Sequence, residues 1–161
     1  MIGVFKLDSN SNNKLDDLDI TILNILTKDP RISYLEIARL CDVSGSTIHV
    51  RMKKIEDLGI IKGSKLVLDT NKLGYDLCCF IGISLENSCY MNLVAKELTE
   101  LTEIIELHLT TGEYPILAKV LCKNIQHLQD LLLNGIQIIK GIEKTAVSIS
   151  LCKIIDREVL I

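Results

Sequence analysis

Residues 33–58 restrict the fold of this chain most strongly, because their pattern predicts two short helices joined by a tight turn. Ser33 with Glu36 matches the S-x-x-E capping box, so a first helix is expected to begin there. Cys41-Asp42-Val43 is long enough only for a turn, and Ser44 is well suited to cap a second helix. Two helices at this spacing indicate a helix-turn-helix, which places its second helix in the DNA major groove.

Apolar periodicity predicts which side of each helix faces inward. On the second helix the apolar positions recur at i, i+4 and i+7, which lie on one side of a helix: Ile48, Met52 and Ile55. On the first helix the expected inward residues are Leu35, Ala38 and Leu40. The opposite side of the second helix is then small, polar and basic.

That outer side carries side chains that can read duplex DNA. Hydroxyl and imidazole groups can hydrogen-bond base edges, an exposed Val50 can contact a thymine methyl, and lysine or arginine side chains can neutralise phosphates. The predicted DNA-binding residues are Ser44, Ser46, Thr47, His49, Val50, Arg51, Lys53 and Lys54 on or beside the helix, with Lys62 and Lys65 beyond it. An ordinary solvated amphipathic helix is the alternative interpretation of this window.

Composition and charge limit the class of protein. The chain has 161 residues, 48% of them apolar, and a net charge of −3, which allows one large domain or two small ones. Residues 1–70 are electrically neutral and the acidic excess lies in residues 71–161, so a DNA-binding surface must be a local patch in the first half. No apolar run is long enough for a membrane span, and the charged start does not fit a secretory signal. We therefore expect a cytoplasmic, nucleoid-associated protein.

Cysteine and histidine patterns favour neither a metal centre nor an enzyme. The six cysteines form no C-x-x-C pair and lie mostly in apolar runs, so buried reduced thiols are expected, without a metal or other cofactor. A metal sensor that uses Cys89, Cys122 and Cys152 remains an alternative. The three histidines are widely separated and no hydrolase or nucleotide-binding motif is present, so we expect no catalytic residues. A small enzyme built on the second domain is the remaining alternative.

The chain is predicted to contain two domains. Residues 1–13 are interpreted as a mobile polar tail, residues 14–68 as a winged helix-turn-helix, and residues 69–76 as a linker. Asp16 or Asp17 is expected to cap a first helix over 17–28, and residues 60–68 to form a two-stranded wing. In the rest of the chain, residues 77–161, the spacing of apolar residues changes, and segments with the two-residue alternation of strands appear.

This second domain alternates strand-like and helix-like segments in the order β-α-β-β-α-β, which is the ferredoxin-like arrangement. The predicted strands are 78–86, 103–111, 114–122 and 144–154, and the predicted helices are 90–101 and 124–138. The fold class is therefore α+β, a winged helix-turn-helix followed by a ferredoxin-like domain. Candidates for an exposed apolar stripe on the sheet are Phe80, Ile116 and Val120.

Four segments together resemble the Lrp/AsnC family of feast/famine transcription regulators. They are LDDLDITILNIL (15–26), DVSGSTIHVRMKKIEDLGIIKG (42–63), KLGYDLCCFIGISL (72–85) and TTGEYPILAKVLC (110–122). Within the family, the chain is most similar to the asparagine-sensing AsnC type. The resemblance extends from about Leu15 to Cys152, which covers both predicted domains.

Membership of this family implies a regulator that binds double-stranded DNA, dimerises through its C-terminal sheet and commonly assembles into an octamer. It also implies an amino-acid effector, here asparagine, bound in clefts between dimers. The family's Thr-Gly-x-Tyr turn lines that cleft, and Pro115 stands here where many members have an acidic residue. The effector residues implied are Thr110, Thr111, Gly112, Glu113 and Tyr114. Thr145 and Ser148, at the start of the last predicted strand, are outside the family motif and are added as candidates that complete the pocket.

Two alternatives remain open at this point. The 110–114 turn could be a plain hairpin in which Gly112 serves only to adopt a positive φ. The protein could also keep the fold without an effector response, as an architectural DNA binder or as the partner subunit of a related regulator.

Overall fold

The computed structural model describes residues 15–157 and 159, which divide into two compact units. Of the described residues, the first unit contains 15–66 together with 156, 157 and 159, and the second spans Val67–Ile155. The tail predicted at 1–13 lies outside the described residues. The second unit takes in the predicted linker, where Asn71–Leu73 forms one turn of 3₁₀ helix.

The first unit contains three helices, which confirms the predicted helix-turn-helix with a helix before it. They are α1 (Asp17–Lys28), α2 (Tyr34–Leu40) and α3 (Gly45–Asp57). Each begins at a polar N-cap whose side chain accepts a backbone N–H, and the caps are Asp16, Ser33 and Ser44. At Asp16 the cap is reciprocal, because Asp19 returns a side-chain acceptor to the Asp16 backbone N–H.

Schellman turns end α2 and α3, and the first of them forms the connection between the two helices. Asp42 follows α2 with a φ of 53°, and the N–H of Val43 reaches the carbonyl of Ala38 at 3.0 Å. Gly59 follows α3 with a φ of 66°, and the N–H of Ile60 reaches the carbonyl of Ile55 at 3.3 Å. Aspartate adopts the left-handed conformation more readily than most residues, so the α2–α3 turn forms without glycine.

The core of the first unit confirms the predicted inward face of α3 and corrects that of α2. Its buried apolar residues are Ile22, Leu23, Ile37, Ala38, Ile48, Met52 and Ile55. Leu35 and Leu40 were expected to face inward, but they are 60% and 63% exposed. Two apolar stripes compete on this seven-residue helix, and the one containing Ile37 packs against the core.

The predicted two-stranded wing is wrong in detail, since residues 60–68 form no strand. Leu66, Val67 and Leu68 are exposed, so the segment has little apolar surface packed against a core. Two strands of three or four residues are marginal in water without a buried face, which explains why the hairpin does not form.

The second unit is a four-stranded antiparallel sheet with helices on one face, as predicted. Its elements are β1 (Leu77–Leu85), α4 (Met91–Thr99), β2 (Ile104–Leu109), β3 (Ile116–Cys122), α5 (Ile125–Asp130) and β4 (Ile142–Ile149). α5 continues as a π-helical segment over Leu131–Ile136. The strand order β2-β3-β1-β4 is that of a ferredoxin-like fold. β4 ends earlier than predicted, because its partner β1 begins at Leu77.

The two faces of this sheet differ in what covers them. Residues such as Cys79, Ile81 and Ile83 point towards the helices and form the core with side chains from β3. Ile116 and Val120 belong to that core and are fully buried, so they do not form the exposed stripe predicted for them. Phe80, one residue out of phase, lies on the opposite, open face and is 39% exposed.

Candidate DNA interface and effector cleft

Three hydroxyl groups cluster at the N-terminus of α3. The Ser44 Oγ accepts the backbone N–H of Thr47 at 3.1 Å, which is the N-cap bond. The same oxygen lies 2.7 Å from the Ser46 Oγ and 2.8 Å from the Thr47 Oγ1. Ser44 therefore organises the end of the helix, while Ser46 is exposed on its surface. This places a polar, unobstructed helix terminus where a recognition helix contacts base edges.

The outer face of α3 continues with His49, Val50 and Lys53, all of them exposed. Val50 is 68% exposed, so its side chain is accessible on this face. The His49 ring meets the Tyr34 ring edge-on, with centroids 4.9 Å apart and planes at 76°. The sequence analysis missed Tyr34, although it is the first residue of α2 and adjoins a capping serine.

Arg51 and Lys54 turn away from this face towards α1. The Arg51 guanidinium pairs with Asp16 and lies 3.3 Å from the Asp19 carboxylate, while the Lys54 ammonium lies 2.5 Å from it. Asp19 is fully buried, and its carboxylate also accepts the Asp16 backbone N–H. The backbone N–H of Asp19, together with Arg51, holds the pKa of Asp16 below its usual value. These two cations thus have protein partners, which the sequence analysis did not foresee.

Lys62 and Lys65 are exposed in the irregular segment that follows α3. Gly63 between them has a φ of 145°, which suits glycine far better than other residues. Their ammonium groups are accessible, but no regular element fixes their positions relative to α3.

In the second unit, the 110–115 turn is closed by two bonds and covered by one ring. The Thr110 N–H donates to the Pro115 carbonyl at 2.9 Å, and the Thr110 hydroxyl donates to the Tyr114 carbonyl. The Tyr114 ring lies on Gly82 in β1, where a Cβ would come 2.5 Å from the ring. Gly112 does not have a positive φ, so the hairpin interpretation that assigned it one is wrong. Thr111 and Gly112 are exposed at the tip.

A pair of opposite charges lies beside the Tyr114 ring. The Lys144 ammonium is 5.9 Å from the ring centroid and 3.9 Å from the Glu113 carboxylate. Lys144 pairs with Ser84 in the sheet register, two residues from Gly82, which brings β4 to the turn. The sequence analysis missed Lys144 because only the strand register joins it to the turn.

Thr145 and Ser148 point to opposite faces of the sheet. Thr145 is opposite Ile83 on the helix side, and its hydroxyl accepts the Gln137 side-chain N–H at 3.0 Å. Ser148 is opposite Phe80 on the open face, the same side as Tyr114. Within one chain, therefore, Ser148 shares a face with the turn and Thr145 does not.

The cysteine thiols are free, and two of the imidazoles pair with glutamate carboxylates. Burial raises the pKa of Cys122 to about 11 and raises that of Cys79, while Cys89 and Cys152 are exposed. His127 pairs with Glu103 at 3.1 Å. Across the described residues, no three His, Cys, Asp or Glu side chains come together in a way that could hold a metal ion. Nor does any helix there combine the length and apolar character of a membrane span.

Comparison with known families assigns both halves of the chain. The sequence profile of the Lrp/AsnC ligand binding domain matches residues 78–160, and that of a winged helix-turn-helix DNA-binding domain matches residues 15–62. Between them the two profiles cover both structural units, as the sequence resemblance predicted.

Individual relatives agree with this assignment. Regulatory protein AsnC of Haemophilus influenzae is 44% identical over 147 residues, covering 91% of this chain and 98% of its own. Its namesake in Escherichia coli K12 is 43% identical over 135 residues, covering 83% and 88%. The solved structure of E. coli AsnC superposes with a TM-score of 0.86 at 40% identity, covering 91% and 98%. A Neisseria meningitidis regulator in complex with L-methionine shares the fold, with a TM-score of 0.85 at 23% identity, covering 89% and 94%.

Proposed function

This chain belongs to the Lrp/AsnC family of DNA-binding transcription regulators, and from that premise we propose that asparagine is the amino acid that controls it. Binding of the effector changes either its affinity for DNA or its state of assembly. The protein acts in the cytoplasm on nucleoid DNA, as a regulator and not as an enzyme.

The exposed N-terminal half of α3 supports the proposed reading of bases. Ser46, Thr47 and His49 supply hydrogen-bonding groups, and Val50 supplies an apolar surface for a thymine methyl. Lys53 on the helix, with Lys62 and Lys65 after it, provides the contacts to phosphates. Because this set contains few cations, one dimer binds DNA modestly, and larger assemblies bind better through effective concentration.

The charge pair beside Tyr114 is the observation that carries the effector proposal. A free amino acid presents an ammonium and a carboxylate a few ångströms apart. Glu113 can bind the ammonium and Lys144 the carboxylate, since the two side chains lie 3.9 Å from each other at the exposed turn. The Tyr114 ring packed on Gly82 fixes one wall of this site. Ser148 lies on the same face, and Thr110 stabilises the turn from within.

The open face of the sheet is the proposed dimer interface, with a second copy of this chain as its occupant. Phe80 is exposed at its centre, and Leu117 and Leu121 follow on the neighbouring strand. A sheet face with large apolar side chains and no covering helix among the described residues of its own unit is suited to association. Four such dimers form the proposed octamer, with the effector clefts between them.

Thermal unfolding of the purified protein against the twenty amino acids tests the effector directly. A ligand at one hundred times its dissociation constant stabilises by about 2.7 kcal/mol, so a single responding amino acid is easily recognised. We expect asparagine to raise the melting temperature of the wild type, Glu113→Gln and Lys144→Gln to lose that shift, and Lys140→Gln, at an exposed lysine before β4, to retain it.

A response to a different amino acid would show that the effector is not asparagine, but would leave the proposed binding site in place. A flat panel would contradict the effector proposal and favour the second candidate, an effector-independent or paired regulator. That candidate is supported by the mutual pairing of Glu113 and Lys144, which satisfies both charges without a ligand. Neither outcome bears on DNA binding by α3.

A further inference from the structure

The contacts between α1 and α3 remove positive charge from the recognition helix. Asp19 is fully buried on α1, and its carboxylate oxygens lie 2.5 Å from the Lys54 ammonium and 3.3 Å from the Arg51 guanidinium. Asp16, at the N-cap of the same helix, also pairs with Arg51. Two cations of α3 therefore face two carboxylates of α1, and this side of the recognition helix presents no net charge.

This neutralisation costs affinity for DNA in general. Sequence-independent binding comes from cations that displace counterions from phosphates, so a cation engaged by a carboxylate contributes little to it. Of the lysine and arginine side chains on α3, only Lys53 is in the exposed class, whereas the Arg51 and Lys54 side chains are 30% and 32% exposed. A sequence-specific regulator gains from this arrangement, because a genome offers a vast excess of nonspecific sites.

We propose that Asp16 and Asp19 form an anionic latch that withholds Arg51 and Lys54 from the DNA backbone and thereby sets the ratio of specific to nonspecific binding. The inference rests on the proposed reading of DNA by α3. A phosphate could take Arg51 or Lys54 only by leaving the buried Asp19 charge less compensated, which is unfavourable in a buried site. The latch also fixes the angle of α3 on α1, so the two aspartates are positioning residues for base recognition.

Asp19→Asn and Asp16→Asn test the latch in the full-length protein. The probes are a random-sequence 30-base-pair duplex and a duplex recovered by selection with the wild-type protein. Asp19→Asn releases Lys54, and Asp16→Asn leaves Arg51 with only its longer contact to Asp19. We therefore expect the random duplex to bind more tightly, on the order of tenfold at low salt, with a dependence of log K on log [salt] steeper by about 0.9 for each phosphate gained. The preference for the selected duplex should fall.

Asp17→Asn is the matched control, because Asp17 is exposed in the same turn of α1. The substitution removes the same charge without releasing Arg51 or Lys54. A variant that merely loosened the fold would weaken binding to both duplexes, and the latch predicts the opposite change for the random one. If the Asp16 and Asp19 variants show the salt dependence of Asp17→Asn, or bind the random duplex more weakly, the latch is refuted.

Lys54→Gln and Lys53→Ala test the same idea without touching the buried carboxylate. If Lys54 is withheld from phosphates, Lys54→Gln leaves the salt dependence of the wild type unchanged, whereas Lys53→Ala makes it shallower by about 0.9. A loss of slope in Lys54→Gln equal to that in Lys53→Ala would overturn the latch alone. No effect of Lys53→Ala, with no sequence recovered by selection, would instead overturn the proposed role of α3 and the latch with it.

Discussion

The helical unit and the sheet unit are held in shape by different kinds of interaction. Among the described residues, the one buried charged side chain, Asp19, lies in the helical unit, whereas the buried side chains of the sheet unit are apolar groups and thiols. Three short helices have no ladder of backbone bonds between them, so the Asp19 network supplies directional contacts. In the sheet, the register of β1 with β3 and β4 already fixes orientation. In this chain the helical unit thus adds a buried charge network to its apolar core, whereas the core of the sheet unit contains no charged side chain among the described residues.

Replacing the buried charge should have the largest effect of any single change in this comparison. Asp19→Ala leaves Arg51 and Lys54 without their shared partner, and we expect a loss of about 3 kcal/mol in the stability of the helical unit. Hydrogen exchange of the amides of α1 and α3 measures this loss separately from the sheet unit. Asp17→Ala should change it by less than about 0.5 kcal/mol. Equal effects of the two variants would show that the buried network is not what holds the helices.

In the sheet unit, the equivalent sensitive point is a glycine beneath a ring. Gly82→Ala places a Cβ 2.5 Å from the Tyr114 ring, and we expect a loss of about 2 kcal/mol, measured by exchange of the β1 and β3 amides. Gly112→Ala is the control, since that glycine has open space around it and no positive φ. The double variant Gly82→Ala with Tyr114→Ala should lose less than the two single losses added, because the clash disappears with the ring. Strict additivity would argue against this packing.

A smaller effect is expected at the cap of the recognition helix. Ser44→Ala removes the acceptor for the Thr47 N–H, and caps of this kind contribute about 1 kcal/mol. Ser44→Asp restores an acceptor and should recover most of that stability. Chemical denaturation followed by circular dichroism measures both variants. If Ser44→Asp is no more stable than Ser44→Ala, the N-cap bond is not the cause.

The smallest expected effect is on the stability of the protein at acidic pH. The pKa of Asp16 is lowered from 3.8, first by the Asp19 backbone N–H and then by Arg51, so its ionised form is favoured in the folded state. Such a carboxylate stabilises the protein above its ordinary pKa, and the contribution is lost as the pH falls through the lowered value. Below about pH 4, the unfolding free energy of the wild type should therefore fall more steeply than that of Asp16→Asn. Parallel curves for the two proteins would contradict this origin.

Local features of both units could be predicted from sequence because they depend on neighbouring residues. Capping residues marked where α2 and α3 begin, and alternating apolar residues marked the strands. The side of α2 that faces the core could not be predicted. Leu35 and Ile37 both belong to plausible apolar stripes, and only packing decides which of the two is buried. The wing was predicted from a strand-like segment, but 60–68 lacks the buried face that would stabilise a hairpin.

Predictions about the sites were limited by contacts between distant residues. Arg51 and Lys54 were assigned to phosphates because they are cationic residues of the predicted recognition helix. In the structure both form ion pairs with Asp19, more than 30 residues away in sequence. Lys144 was missed because it is far from the 110–115 turn in sequence. It comes close to that turn only because β4 pairs with β1, on which the Tyr114 ring lies. Thr145 and Ser148 were grouped by nearness in sequence, while three steps along a strand put them on opposite faces. The periodicity of the sequence predicts the helices and strands. Which side chains meet depends on how those helices and strands pack and on the register of the paired strands.

Selection of duplex DNA from a random-sequence library by the full-length protein tests most directly whether α3 reads bases. We expect the recovered sequences to contain two related half-sites with centres about 10 base pairs apart, or a multiple of that spacing. Ser46→Ala and Val50→Ala should change or abolish the enriched sequence while leaving binding to random duplex almost unaltered. Absence of any enriched sequence, or the same sequence from both variants, would contradict the central role assigned to α3.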